Sequence, residues 1–288
     1  MPEFVWLAFP LLGLVAGVLA GLLGIGGGIV LVAALVALLP IFGVPEASVM
    51  HVALATSLAS IIVTASASAR AHATRGSVLW PSVAWLAPGL VLGGMAGSVW
   101  AIGVDGSTLA ALVGAFCLLM ALRMAWPARA ARAREAPGAS EIAFQPVPRG
   151  AWLGLAGGVI GAVSAVVGIG GGSLTVPLLV SRGVATVRAV GTSSACGVVI
   201  ALASAASYGL APMLGVAAST TSGATASAHA LPAGVIGFVH VPAALGIGFG
   251  AWFAAPYGVR LAHRLSGVAL ARVFAAALAA VGVALLWP

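Results

Sequence analysis

The pentapeptide GIGGG occurs at residues 24–28, within GLLGIGGG, and again at residues 168–172, within AVVGIGGG. The first copy interrupts an apolar stretch that runs from about Phe4 to Leu39. As one straight helix this stretch would be about 54 Å long, whereas the hydrocarbon core of a membrane is about 30 Å thick. Each glycine costs about 1 kcal/mol inside a helix, so the motif predicts a break between two helical pieces.

The composition places the chain in a membrane. Of its 288 residues, 62% are hydrophobic and only 6% are charged, and the mean hydropathy is +1.20. A soluble domain carries about 25% charged residues, so this chain must have lipid as its solvent. We therefore expect an all-α, polytopic transmembrane protein, because helices pair their own backbone groups within the hydrocarbon.

The two copies of GIGGG belong to two repeats. Each copy is followed by a Thr-Ser pair, in ALATSLAS (53–60) and AVGTSSAC (189–196), and later by G-x-x-x-x-P, in GSVLWP (76–81) and GFVHVP (237–242). The other apolar segments lie at about 48–72, 78–101, 105–126, 151–180, 187–211, 233–257 and 266–287. We predict two repeats of four apolar segments each, with the first segment of each repeat broken or re-entrant at GIGGG.

The arginines predict that these repeats are inverted in the membrane. Arginine-bearing loops tend to be cytoplasmic, and corresponding loops of the two halves differ in whether they carry arginine. These loop arginines are Arg70, Arg75, Arg182, Arg188, Arg260 and Arg264. Corresponding loops would then face opposite sides, as in inverted-repeat transporters. The alternative is eight plain spans in two parallel repeats.

Three units follow from this organisation. We expect a first transmembrane repeat over residues 1–126 and a second over residues 150–288. Between them, residues 127–149 are rich in Pro, Ala and Arg, and this composition predicts a cytoplasmic linker.

The glycine breaks predict an anion site. A break leaves N–H groups unpaired at the start of the following half-helix, where the helix dipole adds about half a positive charge. Such an end binds anions, and glycine lets a ligand approach the backbone closely. The candidate substrate-binding glycines are Gly24, Gly26, Gly27, Gly28, Gly168, Gly170, Gly171 and Gly172. The alternative is that they only permit close helix packing.

Hydroxyl side chains follow each break and are further candidates for substrate contact. They are Thr56, Ser57, Thr192 and Ser193. Steps of four residues stay near one face of a helix, and from Thr56 and Thr192 such steps lead to His72 and Tyr208. Packing of small residues is again the alternative for these two ridges.

Histidine is the candidate proton carrier within the spans, because the acidic residues fall in expected loops, in the linker or at the N-terminus. His51, His72 and His240, together with Tyr208, are therefore candidates for ion coupling or anion contact. The sequence shows no Ser/His/Asp arrangement, metal-ligand cluster or carboxylate pair, so we expect no catalytic residues, no metal and no cofactor. Nucleic acid is not an expected partner, because the arginines between apolar segments stand singly.

The motifs together resemble those of the TauE/SafE sulfite exporter family, also called the toluene sulfonate uptake permease family. The resemblance covers nearly the whole chain and includes the GIGGG breaks, the Thr-Ser pairs, His72-x-x-Arg75-Gly76 and VPLL at 176–179. It implies a multi-pass protein of the inner membrane, and members of the family are associated with sulfite, sulfoacetate and other sulfonates. One departure is Ala33, where the second repeat has Pro177, so the two half-sites need not be equivalent.

From this resemblance we expect an inner-membrane permease that exports a small sulfur-containing anion by alternating access, and not an enzyme. Its expected partners are the anion and the lipid bilayer, and homodimerisation is left open. An anion channel, with the breaks as a selectivity filter, and a non-transporting membrane scaffold are the alternative functions.

Overall fold

A computed structural model describes residues 6–24, 26–125, 147–211, 213, 231–264 and 267–286, so most of the linker predicted over 127–149 lies outside the described residues. The protein is mostly helical there. The helices are α1 (Ala8–Leu23), α2 (Gly28–Leu38), a 3-10 helix (Leu39–Phe42), α3 (Glu46–Ala73), α4 (Trp80–Ile102), α5 (Gly106–Ala125), α6 (Ala151–Val167), α7 (Gly172–Ser181), α8 (Thr186–Leu210), α9 (Val241–Ala262) and α10 (Gly267–Leu286). Strands β1 (Val235–Ile236) and β2 (Val239–His240) pair antiparallel before α9.

Four helices within the described residues are long and apolar enough to cross a membrane. They are α3, α4, the Gly106–Arg123 part of α5, and α8. Large apolar side chains such as Leu92, Leu155 and Phe249 are exposed on the outside of the bundle, while many serines and threonines are buried inside it. An apolar exterior suits lipid as the solvent, and the chain is a multi-pass helical membrane protein.

Both GIGGG stretches separate a pair of helices. Helix α1 ends at Leu23 before α2 begins at Gly28, and α6 ends at Val167 before α7 begins at Gly172. The described residues of both stretches are buried. The glycines therefore lie inside the helix bundle and not in its outer loops.

Positive φ angles explain why glycine is needed at these breaks. Gly24 and Gly168 end the first helix of each pair with φ of +70° and +73°, and Gly27 and Gly171 precede the second with φ of +74° and +77°. A residue with a side chain would destabilise the fold by about 1–2 kcal/mol in this left-handed conformation, because its Cβ would lie too close to the following carbonyl oxygen.

Each broken pair folds back on itself as a hairpin. The Phe42 ring, after α2, lies 4.9 Å from the rings of both Trp6 and Phe9 at the start of α1. In the second half, the Arg182 guanidinium, after α7, lies 3.9 Å from the ring centroid of Trp152 at the start of α6. The outer ends of the paired helices therefore meet, and the glycine break forms the turn of each hairpin.

One end of the bundle, termed the arginine end, is basic. There the rings of His72 on α3 and His263 after α9 lie 5.8 Å apart, and Ser82 on α4 donates a hydrogen bond to Pro148 O, just before α6. Burial lowers the pKa of His263, and the charge of Arg75 lowers it further. The described arginines lie toward this end: Arg70, Arg75, Arg123, Arg149, Arg182, Arg188, Arg260, Arg264 and Arg272.

The opposite end, termed the acidic end, carries Glu46 and Asp105. Asp105 Oδ2 accepts hydrogen bonds from Ser107 Oγ and from the backbone N–H of Thr108. These bonds hold the pKa of Asp105 at about 2, so this exposed carboxylate is ionised at neutral pH and caps the start of α5. The two ends thus differ in sign of charge.

Small residues let helices of different halves pack closely. Gly13 and Gly17 on α1 face Ile247 and Ala251 on α9, where an added Cβ would collide with backbone carbonyl oxygens. The equivalent contacts between α4 and α6 pair Gly89 with Gly154 and Gly93 with Gly158. Residue numbers rise together along both pairs, so the helices in each pair are parallel. Small residues allow such close approach of helix backbones in membrane proteins.

The third helices of the two halves, α3 and α8, run antiparallel through the centre. Ser68 Oγ lies 2.9 Å from Ser194 Oγ, and three residues earlier on α3 Ala65 faces Gly197. Helices α5 and α10 are antiparallel too, because Gly114 faces Leu286 whereas Leu118 faces Gly282. Helices α3 and α5 therefore pack on their counterparts α8 and α10, whereas α1 packs on α9 and α6 packs on α4, each of these two pairs joining the first helix of one half to the fourth of the other.

The apolar segment predicted at 233–257 begins later than expected. The residues before Val241 form the β1–β2 hairpin, and α9 continues to Ala262. Pro242 lies in the first turn of α9, where a missing N–H costs nothing, and the His240 side chain caps the helix. Apolar composition alone does not reveal these capping signals, which explains the error.

Gly93→Ala should destabilise the protein, because its Cβ would collide with the backbone of Gly158 and push α4 from α6. Overpacking of this kind costs about 1–3 kcal/mol. Gly209→Ala on α8 is the control, since nothing lies within 4 Å of its Cβ. Thermal unfolding in detergent should show a lower melting temperature for Gly93→Ala alone, and equal melting temperatures would contradict the packing argument.

Candidate functional site

The two breaks touch at the centre of the bundle. Gly28 packs against the carbonyl oxygen of Gly168, with which a Cβ on Gly28 would collide. From α3, Ser57 Oγ lies 3.2 Å from Gly28 O and 3.1 Å from Gly168 O, within hydrogen-bond distance of both. Ser57 therefore joins the start of α2 to the second break.

Ser193 on α8 makes the corresponding contact with the first break. Its Oγ donates to Gly24 O at 3.0 Å, as Ser57 Oγ does to Gly168 O. Thr64 adds a third hydroxyl, which donates to Gly26 O at 2.7 Å. These hydroxyls satisfy carbonyl groups that the interrupted helices cannot pair within themselves.

Thr56 and Thr192 hold the fourth helix of the opposite half. Thr56 Oγ1 accepts a hydrogen bond from the backbone N–H of His240 at 2.9 Å, and Thr192 Oγ1 accepts one from Leu79 N–H at 3.0 Å. His240 and Leu79 occupy the same position in the matching sequences GFVHVP and GSVLWP. The threonine hydroxyls thus support helix starts, whereas the serines beside them reach the breaks.

His72 and Tyr208 also make equivalent contacts. His72 Nε2 lies 3.2 Å from Gly21 O, and Tyr208 Oη donates to Ala165 O at 3.3 Å. Both acceptors lie three residues before the glycine that ends the first helix of their own half. The two side chains therefore stabilise the helix ends next to the breaks.

The N-terminus of α7 presents a set of free donors. In the described part of the chain, no hydrogen bond engages the backbone N–H of Gly170, Gly171, Gly172 or Ser173. At the first break, Gly26 and Gly27 precede α2 in the same way, next to Ile25, which lies outside the described residues. Buried N–H groups at a helix start are suited to binding an anion.

Two buried hydroxyls beside the second break were not among the sequence-predicted residues. Ser164 Oγ on α6 and Thr175 Oγ1 on α7 have no hydrogen-bond partner among the described residues. The matching positions of the first half are Ala20 and Leu31. A comparison of the two repeats position by position could have found both, because polar residues replace apolar ones in one half only.

The structure does not bring the three candidate histidines together. His51 lies toward the acidic end, where its Nε2 is 2.9 Å from Val104 O. His240 is enclosed by aromatic rings at the start of α9, with the ring centroid of Phe9 at 6.0 Å. His72 lies at the arginine end, so these side chains do not form one coupling site.

The electrostatic surroundings of the breaks favour negative charge. Glu46 and Asp105 are the described carboxylates, and both lie at the acidic end away from the glycines. No cluster of three metal-ligating side chains is present in the described ranges. The chemistry available at the breaks is therefore hydrogen-bond donation from backbone amides and nearby hydroxyls.

Comparisons with known proteins identify the family of this chain. Residues 9–285 match the family model described as sulfite exporter TauE/SafE. A probable membrane transporter protein of Haemophilus influenzae is 31% identical over 266 residues, covering 92% of each chain. A protein of the same description from Xylella fastidiosa is 35% identical over 184 residues, covering 63% of this chain and 65% of its own. No solved structure matches the chain significantly.

Thr56→Val and Thr192→Val should each destabilise the fold, because each leaves a buried backbone N–H without its acceptor. The expected loss is about 1–3 kcal/mol. Ser98→Ala is the control, because among the described residues the partner of the buried Ser98 hydroxyl is Gly94 O, in its own helix. Melting temperatures in detergent test this, and threonine variants as stable as Ser98→Ala would rule out the supporting role.

Proposed function

The chain belongs to the TauE/SafE family of sulfite exporters and is a multi-pass membrane transporter, and from this premise we propose that it exports a small sulfur-containing anion across the inner membrane. The proposed substrate is sulfite, sulfoacetate or another organosulfonate. We propose that the anion binds at the glycine breaks and that transport proceeds by alternating access between inverted halves. The observation that carries the proposal is the row of four N–H groups of the buried residues Gly170 to Ser173, which have no hydrogen-bond partner in the part of the chain that the structure describes.

The packing of the halves supports an inverted relation. Corresponding helices α3 and α8 run antiparallel, as do α5 and α10. The first helix of each half packs in parallel against the fourth helix of the other half. A two-fold axis lying in the membrane plane produces this combination, because it reverses each helix as it exchanges the halves.

The charged residues support an orientation of the helix bundle in the membrane. Positively charged residues of membrane proteins concentrate on the cytoplasmic side, so we propose that the arginine end faces the cytoplasm. A basic entrance also raises the local concentration of an anion on that side. This polarity is suited to export.

The contacts of the breaks support an anionic substrate. Ser57, Ser193 and Thr64 donate to carbonyl oxygens of the breaks, so the negative ends of these peptide groups are already paired. The amide N–H groups of the second break and the positive end of the α7 dipole remain available to bind a ligand. A cation would find no described carboxylate there, whereas an oxyanion would find several donors.

The helix pairs suggest which parts would move. Helix α1 is packed on α9, and α4 on α6, through glycines whose added side chains would collide with backbone. We propose that each pair moves as a stiff unit, and that the hydrogen bonds from Ser57 to Gly168 and from Ser193 to Gly24 change as the units rock. The breaks would then open to one side at a time.

Gly171→Ala should lower the initial rate of labelled sulfite uptake into proteoliposomes at least tenfold. Its Cβ would enter the space beside the free N–H groups, 2.5 Å from Ile200 Cδ1 and 3.5 Å from Ser164 Oγ. Gly43→Ala is the matched control, with φ of +83° and nothing within 4 Å of its Cβ. Equal rates for both variants in equally folded protein would refute a substrate site at this break.

A cysteine at the acidic end should react with a membrane-impermeant maleimide from outside, and one at the arginine end should not. The native Cys117 and Cys196 are buried, which gives a low background. Ser107→Cys should be labelled in intact spheroplasts, whereas Ser181→Cys should require permeabilisation, since both side chains are exposed at opposite ends. The reverse pattern would place the arginine end outside the cell.

A further inference from the structure

We propose that Ser164 and Thr175 are ligands of the transported anion, so that the second glycine break is the binding half of the site and the first is its structural counterpart. This rests on the proposed transport function and deepens it. The ligand class is an oxyanion such as sulfite or a sulfonate, whose oxygen atoms accept several hydrogen bonds at once.

The first observation is that both hydroxyls are buried and unpaired. Ser164 is 2% exposed and Thr175 is fully buried, and neither hydroxyl has a partner among the described residues. A buried serine on a helix commonly bonds the carbonyl four residues back, as Ser60 and Ser98 do here. A buried polar group left unpaired is costly and calls for an explanation.

The second observation is the position of the two residues relative to the free donors. A Cβ built on Gly171 would lie 3.5 Å from Ser164 Oγ, so this hydroxyl faces the glycine that precedes α7. Thr175 is four residues after Gly171, on the same face of α7, and side chains on a helix lean toward its N-terminus. Ser164 Oγ therefore borders the row of N–H groups that begins at Gly170, and the helix register places Thr175 next to the same row.

The third observation is the difference between the repeats. The N–H of Gly24 bonds Ala20 O and the N–H of Gly168 bonds Ser164 O, so these two positions correspond. By the same register Thr175 corresponds to Leu31. A structural need of the break itself would apply to both halves, yet the first break has apolar side chains at both places.

The donor set determines the ligand chemistry. Backbone amides and hydroxyls can surround the oxygens of a sulfite or sulfonate group, as they do in other anion sites at helix starts. A hydroxyl hydrogen bond to a charged group is strong and directional. Chloride is a single atom and cannot offer each donor its own acceptor oxygen, so the site should prefer an oxyanion.

The test measures sulfite binding by the purified full-length protein. Sulfite should raise the melting temperature of the wild type in detergent, and chloride at equal ionic strength should not. Ser164→Ala and Thr175→Val should each raise the Kd for sulfite about tenfold, because each removes one hydrogen bond to a charged ligand. Without sulfite, neither variant should melt below the wild type, because each removes an unpaired buried group.

Two controls separate a ligand role from a structural one. Thr175→Ser keeps the hydroxyl and should bind sulfite within about threefold of the wild type, and Ser98→Ala should not change the Kd. If Ser164→Ala and Thr175→Val also bind normally, or if they melt well below the wild type without sulfite, the ligand assignment is overturned. If the wild type neither binds nor transports sulfite, the proposed substrate itself fails, whatever the variants do.

Discussion

The constraint on which the structure depends is that a helix interrupted inside a membrane exposes backbone groups that protein, water or a ligand must pair. Lipid offers no partners, and each unpaired peptide group there costs several kcal/mol. In this protein the carbonyl groups at the breaks accept hydrogen bonds from Ser57, Ser193 and Thr64, which α3 and α8 place between the two hairpins. Hydroxyl groups of the central antiparallel helices α3 and α8 therefore take the place of water as hydrogen-bond partners of the broken helices.

This arrangement makes each half incomplete without the other. Ser193 of the second half pairs a carbonyl of the first, and Ser57 does the reverse. Thr56 and Thr192 likewise hold the start of a helix from the opposite half. Because these hydrogen bonds join the two halves, a movement of one half relative to the other would change them.

The positions of the helix breaks could be predicted from the sequence, because they depend on local properties of the chain. The helix ends next to Gly24 and Gly168 coincide with the glycine-rich stretches that predicted a break, because positive φ is a property of single residues. The partners of Thr56 and Thr192 could not be predicted, because they lie 184 and 113 residues away and depend on how the halves pack. In the sequence each Thr-Ser pair is a single feature. In the structure the threonine accepts a hydrogen bond from a helix start, and the serine beside it donates one to a glycine break.

The same reasoning explains where symmetry between the halves is relaxed. Backbone pairing is needed at both breaks, and both retain it through matching serines. Unpaired hydroxyls bring no such benefit, so they would persist only where something other than the fold uses them. Ser164 and Thr175 are confined to one break, beside the free amides of α7, while Ala20 and Leu31 fill the corresponding places in the other half. On the assignment proposed above, the first copy of the motif serves the structure and the second binds the ligand.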